Sequence, residues 1–187
     1  MPAKDNFAKT SAIKFIQGDI TTLETDAIVN AANQALLPGG GVGGAIHAAA
    51  GPKLAEACKK LAPCPTGDAR MTPGFDLKAR YVIHAVGPVW HGGTQGEAEL
   101  LAACYRKLIQ LALHKNLHSV AFPAISTGIF GYPEDQAAAI AVSTICEVTG
   151  DLAKPPHIYL CCFTSSSLQI VENVLEKAQA QFHKGAA

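Results

Sequence analysis

The chain has 187 residues, 49% of them hydrophobic and 6% aromatic, with fifteen basic and fifteen acidic side chains. That length fits one domain with a sizeable core. The balanced charge excludes a general polyanion binder, because nucleic-acid domains carry a clear basic excess; a small anion, which backbone amides hold without net charge, stays open.

Short apolar runs alternate with longer periodic ones along the chain. Ile13–Gln17 predicts a strand, and residues 27–29 predict a buried one. Pro52–Leu61 predicts a helix with Pro52 in its first turn. Residues 80–86 read as a strand stopped by Gly87-Pro88. Glu97–His114 predicts a helix whose Leu101, Cys104, Leu108 and Leu111 form one apolar stripe. Ser119–Phe122 follows as a strand. A helix is then predicted over 133–148, with Ala138, Ala141, Ile145 and Val148 on one face and an acidic opening at Glu134 and Asp135. His157–Cys162 is the last strand. A final helix carries Leu168, Val171, Leu175, Ala178 and Phe182 in one stripe, capped by Ser165 or Ser166. This alternation predicts an α/β fold, with helices on both faces of a parallel or mixed sheet and ligands bound beyond the carboxyl ends of the strands. Residues 1–10 and those from about 184 onward read as frayed ends.

Two glycine-rich segments follow strand-like runs. The first spans Gly39 to Gly44 after Pro38; the second is Ser126-Thr127-Gly128-Ile129-Phe130-Gly131. Glycine lets a backbone approach a ligand closely, and such turns aim several N–H groups at one anion. One loop of this kind implies one phosphate; two imply a diphosphate gripped from both sides.

Other motifs carry less. Gly39, Gly41 and Gly44 satisfy G-x-G-x-x-G, but Asn30 to Pro38 intervene after the strand, and no acid stands where a ribose-reading one belongs. The absence of any Gly-Lys pair excludes a P-loop. Residues 124–128 approach a nucleophile elbow around Ser126, but its partners would be a turn Asp151 and a strand-opening His157, so Ser126 reads better as a loop donor turning hydroxyl and amide to a phosphate. Asn30 and Asn33 either bond local backbone or read sugar hydroxyls. Asp19 either caps a short helix, the commoner case, or accepts from an exocyclic amine. His47 and His84 read as core histidines. No His, Cys and acid cluster has ligand spacing, so no metal and no cofactor is expected. The six cysteines form no disulfide or zinc framework, and no signal core or membrane-length apolar run is seen; the expectation is reduced thiols, a cytoplasmic location and no membrane contact.

Segments 18–21, 26–33, 39–47, 65–69, 81–88 and 122–132, in that order, together resemble a macrodomain, the ADP-ribose-binding module, and within it the MacroD-type branch. The resemblance implies one domain with its core at about residues 11–183, as a three-layer α/β/α sandwich around a mixed sheet. It implies a monomer that binds ADP-ribose or ADP-ribosylated protein, and no DNA. It also implies roles. Asp19 bonds the adenine amine, with Ile20 beside it and Phe163 near the adenine face. The amides of Ser126, Thr127, Gly128, Ile129 and Phe130 wrap the diphosphate opposite Gly41, Val42, Gly43 and Gly44. Asn33 holds the distal ribose, against which Phe130 packs.

One position departs from the pattern. The hydrolytic MacroD loop reads Gly-Val-Asp-Gly, its aspartate assigned to activating water; here Gly43 stands in that place, and Pro38 replaces the first glycine of the family's run. The chain is therefore expected to hydrolyse ADP-ribosyl esters or O-acetyl-ADP-ribose with water positioned by loop backbone and Asn33. The alternative is a non-catalytic reader of ADP-ribose, which the missing aspartate favours.

Overall fold

The computed structural model describes residues 13–184, with side chains as far as residue 177. Along the chain it forms β1 (Ile13–Gln17), a 3-10 turn at Ile20–Thr22, β2 (Ala27–Ala31), α1 (Gly41–Ala50), α2 (Pro52–Leu61), β3 (Ala69–Pro73) and β4 (Tyr81–Ala85). α3 (Glu97–His114), β5 (Ser119–Phe122), α4 (Glu134–Thr149), β6 (His157–Cys162) and α5 (Ser165–Lys184) follow. The expectations for residues 1–10 and 185–187, and for the side chains of Ala178 and Phe182, lie outside the described residues.

The strands form one sheet in the order β1-β6-β5-β2-β4-β3. Neighbours from β1 to β4 run parallel, and β3 pairs antiparallel with β4 at the edge. Successive residues of a strand face opposite sides, and this alternation builds the two cores. Val29, Ile83, Val120 and Phe122 pack against Leu101, Cys104 and Leu108 of α3 and against Ala141 and Ile145 of α4. Ile28, Val82, Ala121 and Cys161 face the other way, onto Ile46 and Ala50 of α1 and Leu54 and Cys58 of α2. The result is the expected three-layer α/β/α sandwich with a mixed sheet.

Two elements escape the periodicity of the sequence. α1 opens on Gly-Val-Gly-Gly, a poor helix start by propensity, and is held by burial of Ile46, His47 and Ala50. β3 reads Ala-Arg-Met-Thr-Pro, with no alternation of apolar and polar residues; its proline is tolerated because the strand lies at an edge. The start of α5 also needs correcting. Its cap is Thr164, not Ser165 or Ser166: the Thr164 hydroxyl accepts from the Ser167 amide at 3.2 Å.

At the amino ends of the strands Asp26 ties three of them together. Its Oδ2 accepts from the amides of His118 (2.7 Å) and Ser119 (3.2 Å), and Arg80 donates to Oδ1 (3.2 Å). Burial pushes this carboxyl up, but the His118 and Ser119 amides and the Arg80 guanidinium outweigh burial and leave it below its ordinary value. Asp26→Ala strips charge-assisted bonds from the β5 entrance and should cost about 2 kcal/mol or more. Urea denaturation near neutral pH checks this, with an unchanged midpoint as the contrary result.

Candidate functional site

Parallel pairing sends the carboxyl ends of five neighbouring strands to one edge of the sheet. β1 leads to Asp19, β6 to Phe163, β5 to the loop 126–130, β2 to Asn33 and the glycines of α1, and β4 to Gly87-Pro88. Strands lie about 4.8 Å apart, so the row from β1 to β2 covers about 14 Å. Gly18 donates its amide to the Cys162 carbonyl at 3.0 Å, which fixes Asp19 beside Phe163. The predicted residues thus share one edge, in an order that runs from Asp19 to Asn33.

At the β1 end, Asp19 caps the 3-10 turn: its Oδ1 accepts from the Thr21 amide (2.9 Å) and hydroxyl (2.8 Å). The capping reading is therefore realised, and Oδ2 stays free on an exposed side chain. Ile20 is buried beneath the turn, whereas Phe163 is 80% exposed, a large apolar ring left facing solvent.

At β2, Asn33 closes its own turn. Its Nδ2 donates to the Leu37 carbonyl (2.9 Å) and its Oδ1 accepts from the Leu37 amide (3.1 Å). Each group keeps a second hydrogen or lone pair for a ligand. Gly39 packs on this amide, with its Cβ position 3.8 Å from Asn33 Nδ2. Gly40 is the N-cap of α1 and makes no side-chain capping bond, so the amides of Gly41, Val42 and Gly43 have no acceptor in the helix and concentrate its positive end. Gly41 holds φ +57, a left-handed value suited to glycine. A Cβ on Gly44 would overlap the Gly39 carbonyl.

At β5, Ser126 adopts φ +67, a strained value for a serine. Its hydroxyl is buried without a hydrogen-bond partner and packs where a Cβ on Gly87 would stand. This differs from the expected donor hydroxyl. The same geometry pairs it with no histidine, so no nucleophile elbow forms. Thr127 donates its hydroxyl back to Ala124 (3.3 Å), Gly131 donates its amide to the Gly128 carbonyl (3.0 Å), and Ile129 stands 95% exposed at the tip. A Cβ on Gly128 would meet nothing within 4 Å.

Beneath these loops lies a polar cluster inside the core. Asn30 and His84 are register partners on β2 and β4. Asn30 Nδ2 donates to His84 Nδ1 (3.1 Å), so a neutral ring carries its proton on Nε2 and donates to Thr72 Oγ1 (2.9 Å). Cys58 Sγ lies 3.6 Å from His84 Nε2. His47 is buried nearby, its ring centroid 6.3 Å from that of His84, with neither nitrogen partnered. Asn30 Oδ1 is also unpartnered, and a Cβ on the buried Gly43 would stand 3.3 Å from it. The missing side chain and the orphaned amide oxygen face each other.

Beyond β4 a feature appears that the sequence reading missed. Glu97, first residue of α3, is buried, and its carboxylate accepts from the amides of His91 (3.0 Å), Gly93 (3.2 Å) and Gln95 (2.6 Å). Burial raises this group, but the backbone N–H groups prevail and hold it below its ordinary value. In the sequence it reads only as an acid in a first helical turn.

A family model described as Macro domain matches residues 29–141. A macro domain-containing protein of Chlorobaculum tepidum is 55% identical over 163 residues, covering 87% of this chain and 95% of that protein. This chain belongs to the macro domain family. A protein of Salmonella newport named O-acetyl-ADP-ribose deacetylase is 50% identical over 170 residues, covering 89% of the chain and 95% of that protein. The Trypanosoma brucei macrodomain in complex with ADP-ribose superposes with a TM-score of 0.83 at 39% identity, over 88% of this chain and 69% of that one.

In this macro domain all six cysteines are free and buried. Burial pushes Cys58 and Cys161 up to about 11 and Cys104 up to about 12, so these thiols are protonated at neutral pH. Among the described residues no group of three or more His, Cys, Asp or Glu side chains is arranged to hold a metal ion. No helix there is long and apolar enough to cross a membrane.

Burial, and secondarily His47, push His84 from 6.5 down to about 4. Burial lowers His47 too. The unfolded chain therefore binds these protons first. Stability is full above pH 6.5 and falls as pH drops toward 4. Between pH 7 and 5 the His84 contribution should be about 2 kcal/mol. Urea midpoints at the two pH values measure the loss, and His84→Gln should flatten it. An equal slope in that variant would assign the proton uptake elsewhere.

Proposed function

We propose that this macro domain binds ADP-ribose along the row of strand ends and hydrolyses ADP-ribosyl esters, whether O-acetyl-ADP-ribose or mono-ADP-ribosylated acidic side chains. The observation that carries the reading is the uncapped amino end of α1 lying beside the loop 126–130, the two issuing from adjacent parallel strands. The amides of Gly41, Val42, Gly43 and Gly44 then face those of Ser126 to Phe130 across a diphosphate. Adenosine lies toward β1 and β6, with the free oxygen of Asp19 on its amine and Phe163 against its face. The second ribose lies at Asn33 and Phe130. The ADP-ribose held by the Trypanosoma relative and the deacetylase name of the Salmonella relative support this assignment.

In the hydrolytic step water adds to the ester carbonyl. The bond from carbonyl carbon to ribose oxygen breaks, the ribose oxygen leaves as an alcohol with one proton of that water, and the acyl group keeps the water's oxygen as a carboxylic acid, which releases the second proton to solvent and leaves as a carboxylate. No side chain at Gly43 takes the proton, so a term typically worth about 10²- to 10⁴-fold is forgone. What this chain supplies is position and field: loop amides and the α1 amino end fix the diphosphate, and Asn33 orients the sugar and the water.

A second reading, recognition of ADP-ribose without turnover, is favoured by Gly43 itself.

Gly128→Glu places a carboxylate in the diphosphate path from a position with room for a side chain, so the variant should fold and lose ADP-ribose. Titration calorimetry should find micromolar affinity in the unaltered protein, about −7 to −9 kcal/mol, and no saturation in the variant. Equal affinity in both would move the diphosphate elsewhere.

Gly43→Asp sets a carboxylate above the Asn30 amide and should raise ester hydrolysis tenfold or more, within the general-base range. Time courses on glutamate-linked mono-ADP-ribosylated protein and on O-acetyl-ADP-ribose measure it. No turnover by either protein, with ADP-ribose still bound, would establish the reader.

A further inference from the structure

The connection from β4 to α3 reaches beyond its own strand. β4 lies two strands from β5, with β2 between them, yet this connection meets the β5 loop at two points. At the root of the loop, Gly87 packs so closely that a Cβ there would overlap Ser126 Oγ and stand 2.7 Å from Ile125 Cγ2. At its far end, Trp90 donates its amide to the Phe130 carbonyl (2.8 Å), and the Trp90 ring packs on Tyr132 with centroids 4.5 Å apart. Gly131 donates its own amide to the Gly128 carbonyl (3.0 Å). The peptide unit joining Phe130 to Gly131 is therefore held at both of its polar groups. Tyr132 closes the loop by donating its amide to the Ser126 carbonyl (3.0 Å).

Trp90 is in turn held from α3. The residues that follow it are bound to the buried Glu97 carboxylate through the amides of His91 (3.0 Å), Gly93 (3.2 Å) and Gln95 (2.6 Å). A Cβ on Gly93 would stand 2.7 Å from Trp90 Cη2, so the clamped turn lies against the indole. Segment 91–96 is exposed, and water would satisfy its amides if the carboxylate were absent. What the carboxylate adds is a fixed place for the chain on leaving Trp90.

We propose that Glu97 is a positioning residue for the β5 loop: by clamping segment 91–95 it seats Trp90 on Phe130 and Tyr132, and so keeps the amides of residues 126–130 turned toward one point. The inference rests on the reading of the cleft given above. Glu97 acts through Trp90 and needs no contact with a ligand. A peptide unit released at its carbonyl would turn, and the neighbouring amides would have to be ordered at the moment of binding, which lowers affinity.

Trp90 is the single tryptophan of the chain, so its fluorescence reports this contact alone. The test measures ADP-ribose affinity by calorimetry, urea midpoint and Trp90 emission in Glu97→Ala, Glu97→Gln and Asp26→Ala. Asp26 secures the opposite edge of the sheet, so its variant controls for lost stability. Glu97→Ala should bind ADP-ribose about tenfold more weakly while folded and shift Trp90 emission to the red, within what a misplaced positioning element costs. Glu97→Gln keeps an acceptor for His91 and Gly93 but not for Gln95, and it should fall between Glu97→Ala and the unaltered protein in both readouts. Asp26→Ala should lose stability and keep both affinity and emission. Unchanged affinity in folded Glu97→Ala would overturn the assignment. An equal loss of affinity in Asp26→Ala would overturn it too, since lost stability would then suffice, as would a weakened Glu97→Ala whose Trp90 emission has not moved. If Glu97→Ala does not fold, Glu97→Gln decides, with unchanged affinity again the contrary result. Failure of the unaltered protein to bind ADP-ribose is a different outcome, and it removes the underlying reading of the cleft.

Discussion

Everything assigned to the candidate site depends on the parallel pairing of β1, β6, β5, β2 and β4. Parallel strands point their carboxyl ends the same way, so five loops distant in sequence share one edge, where bonds such as Gly18 to Cys162 and Trp90 to Phe130 join one to another. The register fixes their spacing. Asn30 stands opposite His84, and Gln17 opposite Cys162, so the turns that follow start level with one another. Asp26 secures the opposite edge by binding the entrance of β5 and, through Arg80, that of β4. A slip of one residue in any of these pairs would turn buried side chains outward and scatter the loops.

That arrangement puts polar and strained groups where an apolar core would be simpler. His84, wholly buried, needs Asn30 and Thr72 to satisfy it. Ser126 sits in a left-handed conformation with its hydroxyl unpartnered, packed against a Gly87 that has no room for a side chain. Such features cost stability in isolation. They lie at the roots of the two glycine segments, which is where a fold sacrifices packing to hold a backbone close to a ligand.

Most of the fold was legible because burial writes itself as period. The stripe of Leu101, Cys104 and Leu108 announced α3, and the unbroken apolar run through Val82 and Ile83 announced β4. α1 was not legible because its opening glycines have no helical preference; the helix exists through contacts of Ile46 and Ala50 with the sheet. β3 was hidden by a proline that only an edge position permits. At the site, residue identity carried the positions of Asp19, Asn33 and the glycines, and its readings included the local-backbone bonding of Asp19 and Asn33 but not the bonding of Ser126. Asp19 and Asn33 both spend hydrogen bonds on local backbone, and Ser126 turns its hydroxyl inward. The Glu97 clamp was invisible for another reason. An acid in a first helical turn complements the helix dipole in any sequence, and nothing local says that it reaches back to hold a loop.

That clamp has a consequence for the surface. The segment from His91 to Gln95 is exposed and hangs from one anchoring carboxylate, outside the strands that fix the turns of the candidate site. All three bonds use backbone N–H groups, so side chains along this segment can be exchanged without loss of the anchor. Such exchange would reshape the rim and leave the parallel sheet and the turns it aligns in place.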